Sequence, residues 1–172
     1  PLSHYGFLTT TEAVYKTIRD KATQKEIRDN TNQLIPLQDA NGVFNEINSK
    51  KMTKITNLFE TNRIRINRKH ALNQLASFLK EREMLPAIAF VFSRKNVESC
   101  AHDITVPLNE FDSKVGYTVR NECEQIIRKL PNYKEYLELP EYNRLVSLLE
   151  KGIGIHHSGM IPILREIVEL MI

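Results

Sequence analysis

Six apolar residues in a row, Ala87-Ile88-Ala89-Phe90-Val91-Phe92, followed at once by Ser93, constrain this chain more than any other feature. The run has no polar alternation, so it does not suit a sheet with one face in water. Strands covered by helices on both faces read this way. Ser93 is a good start for a helix, because its hydroxyl accepts an orphan N–H of the first turn. Val97, Cys100, Ala101 and Ile104 then recur on one side. A buried strand running into a capped helix is half of a β-α-β unit and predicts parallel strands layered with helices.

A second junction of the same kind lies near the end of the chain. Leu145, Val146, Leu148 and Leu149 predict the inner face of a helix over 142–151. Gly152 stands where a left-handed helix stop is wanted. Ile153-Gly154-Ile155-His156 reads as a short strand, and His157-Ser158-Gly159 as a turn. Pro162 suits the first turn of a last helix, where its missing N–H costs nothing.

Upstream, Phe44, Ile47, Ile55, Leu58 and Phe59 predict a helix within 39–62, with Asn41-Gly42 as its start or a turn. Asn67 can cap a helix to about Glu83 with a buried stripe of Ala71, Leu72, Leu75, Phe78 and Leu79. Met84-Leu85-Pro86 ends it. Cys123, Ile126, Ile127 and Leu130 predict a helix over 120–130, and 105–119 reads as a loop or insertion. Residues 1–35 stay open, since Val14, Tyr15 and Ile18 fit helix or strand. The order helix, strand, helix, helix, strand, helix predicts an open, mainly parallel α/β sheet.

Composition adds limits rather than a function. The 172 residues suit about one domain, and 41% hydrophobic with 26% charged residues is ordinary for a globular chain. A net charge of +3 does not by itself argue for nucleic acid. Between Lys50 and Lys69, however, seven basic residues (Lys50, Lys51, Lys54, Arg63, Arg65, Arg68, Lys69) face one acid, Glu60. Such a patch either meets phosphates or is a solvated helix face. Cys100 and Cys123 form no C-x-x-C pair, so no zinc or redox motif is visible, and a reducing, intracellular setting is expected, nucleus or cytoplasm left open. No run approaches the roughly 20 apolar residues of a membrane span, and no signal peptide opens the chain. Pro1 in place of Met, and an apolar run at 167–172 without a C-cap, predict that both ends lie inside a longer protein.

Ligands of open α/β sheets bind at the carboxyl ends of the strands. Here those ends are Phe92-Ser93-Arg94-Lys95 and Ile155-His156-His157-Ser158-Gly159. Each puts polar groups and backbone N–H groups at a helix N-terminus, which favours anions, and two such sites side by side can grip successive phosphates. His156 and His157 do not suit a shared metal, because neighbours on a strand point to opposite faces. One of the two, His156, is expected to pack in the core. His4, His70 and His102 are expected at the surface or at caps. Ser158 beside His157 lacks a third, orienting group and is not expected to be a nucleophile. Glu166 and Glu169 are expected as solvated charge.

At this point a family resemblance is plain. Ala89-Phe90-Val91-Phe92-Ser93-Arg94-Lys95 resembles motif IV of the superfamily 2 helicases. Gly152-Ile153-Gly154-Ile155-His156-His157-Ser158-Gly159-Met160, with Pro162 and Arg165, resembles motif IVa of the Ski-type DExH-box RNA helicases, which include the exosome-associated ones. Pro1-Leu2-Ser3-His4-Tyr5, continued by Asp20-Lys21 and Lys25-Glu26, is similar to the segment that crosses between the motor domains of those helicases.

The resemblance implies an α/β fold of the RecA-like, P-loop NTPase type. Its open, mainly parallel sheet would be flanked by helices and incomplete at the C-terminus. Residues 1–66 would hold the crossing segment and the start of the second RecA-like domain. Residues 67–172 would hold the N-terminal part of that domain, ending before motif V. It implies single-strand backbone contacts by Ser93, Arg94, His157, Ser158, Gly159 and Arg165, with no catalytic and no metal-binding residue in this stretch. The expected partners are single-stranded nucleic acid, RNA rather than DNA, and the first RecA-like domain of the same protein, with no membrane.

The whole protein would use ATP and Mg2+ to translocate 3′ to 5′. This stretch has no G-x-x-x-x-G-K-[ST] loop and no Asp-Glu-x-His box, so alone it is expected to bind no ATP and to be inactive. The alternatives are a motor-derived binding scaffold without turnover and a related repair-type DNA helicase.

Overall fold

The computed structural model describes residues 2–109 and 113–172. Pro1 of the opening motif and residues 110–112 of the expected 105–119 loop lie outside the described residues. The chain divides into two compact units, one up to Leu85 and one from Pro86 on.

The first unit opens with β1 (His4–Phe7), which pairs antiparallel with β2 (Leu34–Gln38). Gly6 faces Ile35 and Tyr5 faces Pro36, with the register slipping between His4 and Tyr5. Both strands are edges, so the N–H that Pro36 lacks is not missed. Residues the sequence left open resolve as helix in α1 (Glu12–Thr17), which buries Val14. The next helix, α2 (Lys21–Asp29), is capped by Asp20, whose carboxylate accepts the Thr23 N–H at 3.0 Å. The Thr23 hydroxyl and that N–H hold the Asp20 carboxyl below its ordinary range.

Of the two readings of Asn41-Gly42 in the expected 39–62 stretch, the turn is the one the structure takes. Gly42 takes φ +83° and donates to the Asp39 carbonyl, while the Asp39 side chain accepts from Asn41 and Val43. Helix α3 (Glu46–Thr61) follows, capped by Asn45. Asn67 caps α4 (Arg68–Glu81) as expected, accepting from Lys69 at 2.8 Å. Its predicted stripe is only half-buried, and Ala76 is the residue it buries. The core of this unit is Val14, Ile18, Ile27, Ile55 and Phe59.

The second unit is helical. It contains α5 (Arg94–Asp103), α6 (Ser113–Arg128), α7 (Tyr133–Glu138), α8 (Pro140–Glu150) and α9 (Pro162–Met171). Helix α6 takes over the second half of the expected 105–119 loop. Cys123, Ile127, Tyr142, Leu145, Val146, Leu149, Leu164, Ile167 and Val168 close one core. Each large aliphatic buried there contributes about 1.5–3 kcal/mol. Gly152 ends α8 at φ +85°, and the Ile153 N–H closes back on the Leu148 carbonyl at 3.0 Å, the left-handed stop its position predicts.

The parallel sheet is where expectation and structure part. Among the described residues there is one sheet, the antiparallel β1–β2 pair, and neither 87–92 nor 153–156 is a strand. Ile88, Phe90 and Phe92 are 79%, 86% and 104% exposed. The physical reason is that a strand is a paired object, whose N–H and C=O groups need a neighbour. No described segment pairs with either run. The architecture is α/β, mostly helical, with a small two-stranded sheet.

Candidate nucleic-acid interface

The site is built on the start of α5 and the loop that leads into α9. Ser93 takes an extended backbone, φ −146° and ψ 130°, and its hydroxyl oxygen accepts the Asn96 N–H at 3.4 Å. The helix that this cap begins carries Arg94 and Lys95 in its first turn, both exposed. Opposite, the left-handed stop at Gly152 turns the chain into 153–156, where Ile153 is buried against Ala101 and Leu148. Pro162 at the start of α9 ends the loop.

The two motif ends meet. The Arg94 guanidinium donates through Nη2 to the Ser158 hydroxyl at 2.8 Å. The Gly159 backbone N–H donates to Nδ1 of His157 at 3.1 Å, and Nε2 of His157 lies 3.0 Å from a Glu98 carboxylate oxygen. A Cβ on Gly159 would stand 3.2 Å from that Nδ1 and 3.3 Å from Cδ of Arg94, so a larger residue there would make both side chains give by a few tenths of an ångström. Four of the expected residues, Arg94, His157, Ser158 and Gly159, therefore form one cluster, and Ser93 sets the helix that supplies Arg94.

Arg165 is not tied into it. It stands on α9, and its Nε is buried with no hydrogen-bond partner among the described residues.

The two histidines do point apart, but the inward one is not the one expected. His157 is the packed ring, with 12% of its side chain exposed, whereas His156 is 47% exposed and meets Glu169 at 2.8 Å. Alternation along the chain separates neighbours without saying which faces the core. Glu169 is exposed as expected, yet holds His156. The residue the sequence reading missed is Glu98. Its signal is the spacing: it stands four residues after Arg94, on the same helix face.

Among the described residues no three His, Cys, Asp or Glu are grouped to hold a metal ion. Burial pushes the Cys123 thiol up from its ordinary range, so it is a packing group and not a nucleophile. Of the basic run over 50–69, Lys50, Lys51 and Lys54 stand at exposed positions of α3, where Lys54 pairs with Glu26 at 2.9 Å and Lys50 with Glu46 at 3.7 Å. No helix among the described residues is long and apolar enough to cross a membrane.

The chain is homologous to a segment of the Ski2-like DExH-box helicases. The Antiviral helicase SKI2 of Saccharomyces cerevisiae is 36% identical over 98 residues, which is 57% of this chain and 7% of the yeast protein. The DExH-box ATP-dependent RNA helicase DExH9 of Arabidopsis thaliana is 28% identical over 174 residues, 99% of this chain and 16% of the plant protein. The Exosome RNA helicase MTR4 of Homo sapiens is 30% identical over 103 residues, 57% of this chain and 9% of the human protein. The chain thus spans less than a fifth of the length of these relatives. No protein-family model matches it.

Proposed function

We propose that this chain is part of the second RecA-like domain of an ATP-dependent, 3′ to 5′ RNA helicase that works inside the cell, and that the α5–loop cluster holds the backbone of the translocating strand. The single observation that carries the reading is the 2.8 Å bond between Arg94 and Ser158, which unites the two motif ends at one place. Arg94 has five N–H donors and spends one on Ser158, so others are left for phosphate oxygens. Ser158 accepts from Arg94 and keeps its own proton to donate. His157 and Gly159 shape the loop, Ser93 fixes the start of α5, and Arg165, whose Nε is left without a partner among the described residues, meets a phosphate. Contacts of this kind position a strand without reading its sequence.

In this reading residues 1–66 carry the crossing from the first RecA-like domain and 67–172 the start of the second. Residues 87–92 and 153–156 are then strands of a parallel sheet that other parts of the protein complete, which accounts for a bare apolar run at 88–92. ATP and Mg2+ would be held by residues elsewhere in the protein, because 1–172 carries no phosphate loop and no Asp-Glu-x-His box, with this chain as the far wall of the cleft and the first RecA-like domain as its partner.

The test is strand binding by the full-length protein against salt concentration. Arg94→Ala and Arg165→Ala should each weaken affinity for all sequences alike and lower the salt slope by about one ion. An unchanged affinity and slope in both variants contradicts the assignment.

A further inference from the structure

We propose that Glu98 is the positioning residue of this interface: its carboxylate fixes the tautomer of His157 and thereby the loop that presents Ser158 to Arg94. The proposal rests on the strand-binding reading above and adds a residue and a mechanism to it.

The tautomer follows from the partners. A backbone amide only donates, so the Gly159 N–H at 3.1 Å requires a lone pair on Nδ1 of His157. The neutral ring then carries its proton on Nε2, and that N–H has an acceptor in the Glu98 carboxylate at 3.0 Å. Both ring nitrogens are thus used, on a side chain only 12% exposed.

Removing the carboxylate leaves the Nε2–H of a mostly covered ring without its protein acceptor, at a contact whose Glu98 side stays open to water. It also releases the ring to place its proton on Nδ1, which turns that atom from an acceptor into a donor and breaks the bond to Gly159.

The geometry of α5 supports the same role. Arg94 and Glu98 are one helical turn apart and of opposite charge, a spacing at which side chains commonly pair with each other. Here they do not: each reaches instead to one of two consecutive loop residues, Arg94 to Ser158 and Glu98 to His157. One helix face therefore holds the loop at two points. The cation keeps donors to spare, and the carboxylate is turned onto the histidine.

The experiment uses the full-length protein and its Glu98→Ala, Glu98→Gln and Arg94→Ala variants. It measures hydrogen–deuterium exchange of the 156–160 peptide and affinity for a fluorescein-labelled oligouridylate. Glu98→Ala should speed exchange in that peptide and weaken oligouridylate binding by up to about tenfold, the worth of one such hydrogen bond. Glu98→Gln should restore both to within about twofold, because its amide oxygen still accepts from Nε2–H.

Loop exchange or affinity in Glu98→Ala equal to that of the unaltered protein overturns the proposal. A Glu98→Gln variant as loose as Glu98→Ala overturns it too. Arg94→Ala weakening binding while Glu98→Ala does not means that the positioning role alone has failed. Arg94→Ala leaving affinity unchanged means that the strand-binding reading has failed.

Discussion

Residues 87–92 and 153–156 read alike in the sequence, as short apolar segments that run into a capped or proline-started helix, yet they end in opposite environments. The first leaves Ile88, Phe90 and Phe92 exposed. The second has Ile153 at 8% exposure, packed with Ala101 and Leu148, and Ile155 half-buried beside both clusters of the second unit. The difference is the source of cover. Helices α5 and α8 lie beside 153–156, whereas no described segment lies over 87–92. Local chemistry sets where helices begin and end. Whether an apolar run is a strand is set by its neighbours.

The largest test of that contrast is in the helices that do supply cover. Ile167 is 0% exposed in the core of the second unit. Ile167→Ala should cost about 2–5 kcal/mol, read as a fall in the denaturant midpoint. A cost near zero would mean that α9 does not pack as described.

A second test is alkaline stability. Burial pushes the Tyr142 hydroxyl from 10.0 up to about 12. A raised value means that the folded state prefers the neutral phenol. Its contribution is fully present below pH 10 and is lost as pH rises to about 12. Unfolding curves at several alkaline pH values should show this loss, and Tyr142→Phe should remove it. Identical curves for the two proteins would sink the claim of a buried phenol.

The smallest effect is expected in the bare run. Phe90→Ser in this chain should change stability by no more than about 0.5 kcal/mol, because the ring loses little cover. In the full-length protein the same change should be far more costly, since the proposed sheet would bury it. An equally mild effect in both would argue against that sheet.

What the sequence disclosed follows the same division. The caps at Asn67 and Ser93, the stop at Gly152 and the proline start of α9 were all legible, because each is decided by one residue and its own backbone. The β1–β2 pair was not, since Pro36 argues against a strand and its partner lies some thirty residues away. The short α7 between Pro131 and Pro140 escaped for want of length. The residues of the candidate interface were legible as a motif, but their linkage was not. Which histidine turns inward, and that Glu98 holds it, depend on a contact 59 residues apart in sequence.

The most direct measurement is a hydrogen–deuterium exchange footprint of the full-length protein with and without a single-stranded oligouridylate. Slower exchange concentrated at 93–98 and 156–160 is the predicted result. Protection on the basic face of α3 around Lys50 and Lys54, with those two segments unchanged, would contradict the account.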